Sequence, residues 1–338
     1  MLDVSVLMPC YNAAQTLEET LQSLADQTHP SFEVVAVDDG SEDETRAILQ
    51  SWEKKDSRFK CLALSHTGII PALNSGLAAS QGRYIARMDA DDLALPERLS
   101  LQAQYLDENP ETALVSCIVK GFPEQDVRTG FRIYIDWLNS LLIDEDIRRE
   151  MFIESPLAHP SVMYRRELVL SLGGYKEAGW AEDYDLWLRM ALSGARFAKL
   201  PQVLLAWREH PRRLTRTDSR YSLENFIRAK AHYLMQGPLK GKDSVIIWGA
   251  GMSGRRLSKH LLRLGTPIKA FLDVDPAKVG KTRHGIEIFP IEALTDIWEQ
   301  AKNPVLLAAV ASRGKRQLIR EHLHKLELVE GHDWWAVA

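Results

Sequence analysis

Two short apolar runs, VSVLMP at residues 4–9 and FEVVAVD at 32–38, flank the segment TLEETLQSLADQ, and this succession narrows the fold more than any other feature of the chain. The runs are rich in β-branched residues and do not alternate with polar ones, as expected of strands buried on both faces. Between them Leu17, Leu21 and Leu24 recur at helical spacing and mark one apolar face. Strand, helix and strand in this order form a parallel β-α-β unit. FKCLALS, PALNSGLAAS, YIARMD and PERLSLQAQYLDE continue the alternation, which predicts an α/β fold with a mainly parallel sheet covered by helices. The first two helices are expected to open on capping boxes, Thr16 with Glu19 and Ser41 with Glu44. Ligands of such sheets bind beyond the carboxyl ends of the strands.

From about residue 120 to 160 the pattern loosens, with an amphipathic helical stretch in FRIYIDWLNSLLIDEDIRREMF and a strand entering a helix in HPSVMYRREL. AEDYDLWLRMALSGA predicts a helix with Leu186, Trp187 and Met190 inward, and FAKLPQVLLAWREH a last strand or hairpin. SLENFIRAKAHYLMQGPLKGKD reads as a connecting helix and linker, with a boundary near Lys240. The alternation then restarts in SVIIWGAGMSGRRLSKHLLRLG, IKAFLDVD and NPVLLAAV. With 338 residues, 45% of them hydrophobic, the chain can bury two cores. The expected layout is a first domain at 1–215, a helical linker at 216–242 and a small Rossmann-like domain at 243–338.

Composition excludes several classes. A net charge of -4 argues against a general nucleic-acid surface, although the basic run from Arg208 to Arg220 could meet phosphate or anionic lipid. Three scattered cysteines, Cys10, Cys61 and Cys117, suit neither a disulfide framework nor a metal knuckle and point to a reducing cytoplasm. No uncharged run approaches the roughly 18 to 20 residues of a membrane span, and the N-terminus lacks the pattern of a signal peptide. A cytoplasmic protein, at most peripheral at the inner face of a membrane, is expected.

The chemistry is carried by acids at predicted strand ends: Asp38 and Asp39 in AVDDGS, Asp89, Asp91 and Asp92 in MDADD, and Glu182 with Asp183 in WAEDYD. DDGS alone could be a turn and helix cap. Asp92 could likewise cap the helix after it. Three carboxylates at one strand end repel one another unless a cation offsets them, and hard oxygen ligands select Mg²⁺ or Mn²⁺, which complete their shell with phosphate oxygens. That suits a nucleotide diphosphate.

The ordered segments VSVLMPCYNAAQTLEETLQSLADQT, FEVVAVDDGSEDET, LNSGLAASQGRYIARMDADDLALPERL, HPSVMYRREL, GGYKEAGWAEDYDLWLRMA and WREHP resemble the family 2 glycosyltransferases over roughly residues 1–215. The resemblance implies a GT-A fold and an inverting transfer of sugar from a nucleotide-diphosphate donor, a UDP-sugar first among the options, to a glycan, lipid-linked or protein acceptor. It also implies site roles. Pro9, Tyr11 and Asn12 would line the nucleotide pocket and Asp39 would face the base; Asp89 would approach the ribose. Asp91 would ligate Mn²⁺ or Mg²⁺, and His210 would lie near the diphosphate and the metal or else in solvent. Asp92 would face sugar or acceptor or only cap a helix, and Asp183 would be the base. Asp183 opens a helix, whose dipole favours the ionised form.

In the last hundred residues Gly249, Gly251 and Gly254 stand in GxGxxG register between a strand and a helix, and Asp273 ends the next strand. This pattern suits a nucleotide or dinucleotide at a helix N-terminus, or glycines used only for packing. Ser312, Arg313 and Gly314 fall where another ligand-facing loop or a helix cap belongs. An NAD(P)-dependent oxidoreductase or a nucleotide-sensing binding protein built on this part is the alternative reading; the first does not explain the three acidic clusters, and intact Asp91 and Asp183 speak against the second, a transferase domain without activity.

Overall fold

The computed structural model describes residues 2–312 and 314–338. The chain divides into two compact units, one of residues 1–147, 156–178 and 182–217, the other of 148–155, 179–181 and 218–338. In chain order it forms β1 (Val4–Cys10), α1 (Ala14–Ala25), β2 (Phe32–Asp38), α2 (Thr45–Lys55), β3 (Phe59–Ala63) and α3 (Ile69–Ala79). Next come β4 (Tyr84–Arg87), β5 (Leu93–Ala94), α4 (Arg98–Glu108), β6 (Thr112–Phe122), α5 (Thr129–Ser140) and α6 (Asp144–Glu150). Then follow β7 (Met163–Arg165), α7 (Arg166–Ser171), α8 (Glu182–Leu192), β8 (Arg196–Arg208) and α9 (Leu214–Thr217).

The sheet of the first unit runs β3-β2-β1-β4-β7-β6-β8-β5. Its first four strands are parallel, so the carboxyl ends of β1, β2, β3 and β4 share one edge. β7 runs against both β4 and β6, β6 runs with β8, and β5 runs against β8. Burial on both faces explains the unbroken apolar runs: Val4, Val6, Leu7 and Met8 are fully buried, as are Val34 and Val37. Leu17, Leu21 and Leu24 pack α1 into the core, and Leu186, Trp187 and Met190 point inward from α8, as their spacing predicts.

β6 is the strand that periodicity hides. Its sequence TALVSCIVKGF holds polar residues amid apolar ones, and Ser116 is fully buried against Ser161, the two hydroxyls 2.6 Å apart. The capping boxes are corrected. Ala13 and Glu44, not Thr16 and Ser41, stand at the helix entrances, neither with a side-chain cap: the Ala13 N–H donates to Thr45 Oγ1 at 2.7 Å and the Ala14 N–H to Asp43 Oδ2 at 3.1 Å. Thr16 lies inside α1 and donates to the Ala90 carbonyl at 3.1 Å, while Ser41 Oγ accepts from the Asn12 N–H at 3.0 Å. Groups that could cap locally are used instead to join neighbouring strand-end turns, which satisfies the same orphan N–H groups.

The second unit adds α10 (Leu223–Gln236), β9 (Ser244–Trp248), α11 (Met252–Arg263), β10 (Ile268–Leu272), β11 (Thr282–Arg283) and β12 (Ile286–Phe289). It ends with α12 (Leu294–Glu299), β13 (Pro304–Ala308), α13 (Lys315–Lys325) and β14 (Trp334–Ala336). Its sheet, β11-β12-β10-β9-β13-β14, is parallel apart from the β11–β12 hairpin. Ile246, Leu272, Leu306 and Trp334 form its core.

Candidate active site

The first unit gathers its site at the shared edge of β1 to β4. Tyr11 and Asn12 leave β1, and Asn12 takes a left-handed φ of 48°. Its side-chain oxygen accepts from the Glu42 N–H at 2.9 Å, so the PCYN and DDGS turns are tied together. The exposed Tyr11 ring stacks on His66, with centroids 4.1 Å apart and planes 20° from parallel. Asp39 is buried beneath, its two carboxylate oxygens each accepting at 2.8 Å from the N–H groups of Thr67 and Gly68, and His66 Nδ1 lies 3.0 Å away. Asp38 accepts from the Ser41 N–H at 3.1 Å, the turn expected of DDGS. His66, Thr67 and Gly68 were absent from the sequence reading; their place just past β3 is the signal that would have found them.

Asp89, Asp91 and Asp92 follow β4, with one carboxylate oxygen from each inside a group no wider than 4.8 Å. Asp91 Oδ2 lies 2.7 Å from His210 Nε2, so the structure joins these two predicted residues. Asp92 does not cap α4. Its Oδ1 accepts from the Arg208 N–H at 2.7 Å, while Oδ2 is buried without a partner. Burial, then repulsion from Asp91 and Asp89, holds the Asp92 carboxyl well above the usual carboxylate range. Burial also raises Asp89, and Arg87 opposes it through an ion pair with Asp89 Oδ1. An orphaned buried oxygen among three crowded carboxylates and an imidazole fits a divalent cation. Asp91 and His210 are its first candidate ligands.

Arg208 fastens this turn from β8. Its Nε donates to the Asp91 carbonyl at 2.6 Å and its Nη2 pairs with Glu19 at 2.7 Å. The other arginines of the basic run are also engaged within the chain: Arg213 and Arg216 pair with the buried Glu209, Arg212 donates to Gln15 and Arg220 pairs with Asp218. These pairs compete with any phosphate or lipid.

Asp183 lies in the first turn of α8, half-buried, and its Oδ1 accepts from the Tyr184 N–H at 2.6 Å. Burial, then the neighbouring Glu182, pushes the Asp183 carboxyl up to about 7, because desolvation and a like charge outweigh the helix end. Glu182 is 3.7 Å from His159 Nδ1, and His159 Nε2 is 3.0 Å from the Tyr175 hydroxyl. His159 and Tyr175 were not singled out in the sequence, since they and Glu182 are scattered over 24 positions and follow no period.

In the second unit two of the three glycines are demanded by packing. A Cβ on Gly254 would come within 1.9 Å of the Gly249 carbonyl oxygen, and one on Gly249, with φ of 116°, within 2.8 Å of the Ala309 carbonyl oxygen. Gly251 faces open space. Asp273 accepts from the Ala250 N–H at 2.9 Å and pairs with Lys278 at 3.1 Å. Beside it a cavity of about 300 Å³ is lined by Val274, Pro276, Val279 and Ile291. Gly314 precedes α13 with φ of 73°; Arg313 lies outside the described residues.

Comparison with known proteins decides the family. The model of glycosyl transferase family 2 matches residues 5–173. The chain belongs to glycosyl transferase family 2. It is similar to the amylovoran biosynthesis glycosyltransferase AmsE of Erwinia amylovora, with 33% identity over 204 residues, 60% of this chain and 74% of that one. It is also similar to the O-antigen biosynthesis glycosyltransferase WbnJ of Escherichia coli, at 27% identity over 67% of this chain and 90% of the relative. Among solved structures, S. aureus TarS 1-349 in complex with UDP-GlcNAc gives a TM-score of 0.57 at 22% identity, covering 78% of this chain and 72% of that chain, a likeness of fold. This family 2 glycosyltransferase thus has the expected GT-A type α/β architecture and is related to enzymes of cell-surface polysaccharide synthesis. None of its described helices is long and apolar enough to cross a membrane.

Proposed function

We propose that this family 2 glycosyltransferase moves a sugar from a nucleotide-diphosphate donor, a UDP-sugar in the first instance, to an acceptor hydroxyl with inversion at the anomeric carbon, in the synthesis of a bacterial surface glycan. The observation that carries the proposal is the orphaned Asp92 oxygen within the Asp89, Asp91 and Asp92 group, beside His210. The base stacks on Tyr11, with Pro9 and Asn12 lining the pocket and Asp39 holding its floor; Asp89 takes the ribose. When bound by Asp91 and His210, Mn²⁺ or Mg²⁺ supplies charge neutralisation at the diphosphate. Asp183 accepts the proton of the acceptor hydroxyl as that oxygen bonds to the anomeric carbon and the bond to the diphosphate oxygen breaks. With one base and no carboxylate nucleophile the displacement is single, so an α-linked donor gives a β-glycoside.

The test is nucleotide release across UDP- and GDP-sugars with Mn²⁺, Mg²⁺ or EDTA. Release from one donor that EDTA abolishes and that Asp91→Ala loses is the expected result; binding of UDP by Asp91→Ala with an unchanged response to metal removes Asp91 from the ligand set. A nucleotide or dinucleotide in the second unit is proposed on Gly251 and the cavity beside Asp273. Calorimetry with NAD(H) and UDP on Gly251→Val tests it, and titrations unchanged from those of the parent sink it.

A further inference from the structure

We infer that His66 is a positioning residue of the base site, acting on the nucleotide base through the ring of Tyr11, which it holds ready for stacking. The inference rests on the reading above in which the base stacks on Tyr11. Three strand-end turns meet here. Asn12, after β1, is tied twice to the turn after β2: its N–H donates to Ser41 Oγ at 3.0 Å and its Oδ1 accepts from the Glu42 N–H at 2.9 Å. Gly40, with φ of 73°, lets the turn after β3 come close, since a Cβ there would stand 2.5 Å from the His66 N. The buried Asp39 then gathers residues 66–68. Its Oδ1 accepts from the Thr67 N–H at 2.8 Å and from Thr67 Oγ1 at 3.2 Å, and its Oδ2 accepts from the Gly68 N–H at 2.8 Å.

The same acid fixes the imidazole. His66 Nδ1 lies 3.0 Å from the Asp39 carbonyl oxygen and 3.0 Å from Asp39 Oδ2. Both are acceptors, so Nδ1 carries the hydrogen and the ring is held by that edge. In this orientation it lies 20° from parallel to the Tyr11 ring, with centroids 4.1 Å apart. The pair is not core packing, because the Tyr11 residue is 46% exposed and the His66 side chain 55%. A lone Tyr11 ring would lose its rotamer freedom when a base stacks on it; His66 removes that loss in advance and leaves the opposite face of Tyr11 for the base. A chain of contacts thus runs from Asp39 through His66 to Tyr11, and none of them involves Asp89, Asp91, Asp92 or His210. Base recognition and diphosphate recognition can therefore be read separately.

The experiment measures by calorimetry the Kd of UDP and of inorganic pyrophosphate, each with Mn²⁺, GDP replacing UDP if the parent binds it more tightly. The full chain is compared with His66→Ala, His66→Gln, Tyr11→Ala and each His66 variant combined with Tyr11→Ala. In His66→Ala the Kd of the nucleotide rises ~3- to ~10-fold, the size expected when the ligand must order one side chain, while that of pyrophosphate stays parental. His66→Gln keeps a donor but no ring and weakens the nucleotide as much. The double variants bind it no more weakly than Tyr11→Ala, because a residue that acts through Tyr11 has no effect once that ring is gone. Parental nucleotide affinity in His66→Ala overturns the inference, as does an equal loss for pyrophosphate or a double variant in which the two losses add. If circular dichroism shows the Ala variant unfolded, the Gln variant decides by the same outcomes. A parent chain that binds neither UDP nor GDP more tightly than pyrophosphate is a different failure, that of the base-stacking reading itself.

Discussion

A carboxyl group held at about 7 by burial and by Glu182 is half ionised near neutrality, which places Asp183 where a general base gains most from small changes of pH. If it accepts the acceptor proton, kcat falls as pH drops through about 7 and levels off above. Asp183→Asn is expected to lower kcat at least ~100-fold with donor affinity kept; a variant with parental turnover excludes the role. Stability gives an independent readout. A folded-state value raised above the unfolded one contributes stability that is complete at low pH and lost as pH rises through about 7. The thermal midpoint of Asp183→Asn should therefore gain on the parent from about pH 4 to 7 and hold that margin beyond. Asp38, Asp39 and the Asp89, Asp91 and Asp92 group could be picked out because carboxylates crowd at strand ends, whereas Asp183, which lies at the start of α8 and follows no strand, and His210 were assigned their roles through the family resemblance. Arg87 was not, because an arginine inside an apolar strand reads as a break in the pattern until the burial around it is known, although its position two before Asp89 hinted at a shared side.

Among the elements, the entrances of α1 and α2 act as one device. Asp43 accepts from the Thr45 N–H at 3.0 Å and from the Ala14 N–H at 3.1 Å, so one carboxylate satisfies the first N–H of both helices that lead away from the nucleotide turns. Asp43→Ala should cost about 1–2 kcal/mol in denaturant unfolding, the usual loss of a cap, and a change under ~0.5 kcal/mol would show that water replaces it. In the second unit, Gly254→Ala should cost about 1–3 kcal/mol through overpacking, whereas Gly251→Ala should change stability little because its Cβ meets nothing within 4 Å. Equal effects at the two positions would contradict the packing assignment of Gly254. The strands β1, β2 and β9 could be read from sequence because burial on both faces leaves a nearly continuous apolar run, and β4 and β10 could be read in spite of Arg87 and the exposed Lys269. β6, β12 and β14 could not: the first pairs buried hydroxyls with one another, and the others are short additions whose register depends on neighbours far along the chain.

For the whole molecule, a site built from an exposed aromatic stack and an acidic group should be stabilised by its ligands together more than by either alone. UDP with Mn²⁺ at about 100 times the dissociation constant should raise unfolding free energy by about 2.7 kcal/mol, seen as a higher thermal midpoint that EDTA reverses. A midpoint insensitive to both would leave the acidic group without a cation.

The His210 to Asp91 hydrogen bond spans 119 positions, and the one from Arg208 to Asp92 spans 116. The turns around Asn12, Asp39 and His66, in contrast, come from the first 70 residues. During synthesis the base-stacking side can form on an emerging chain, and α1 can already hold the turn after β4 through Thr16 and Thr20, which bond the Ala90 and Asp92 carbonyls, but the contacts from Arg208 and His210 must wait until β8 has left the ribosome. A nascent chain halted short of residue 210 would therefore carry a pocket floor and an acidic loop held by α1 alone, without the imidazole beside Asp91.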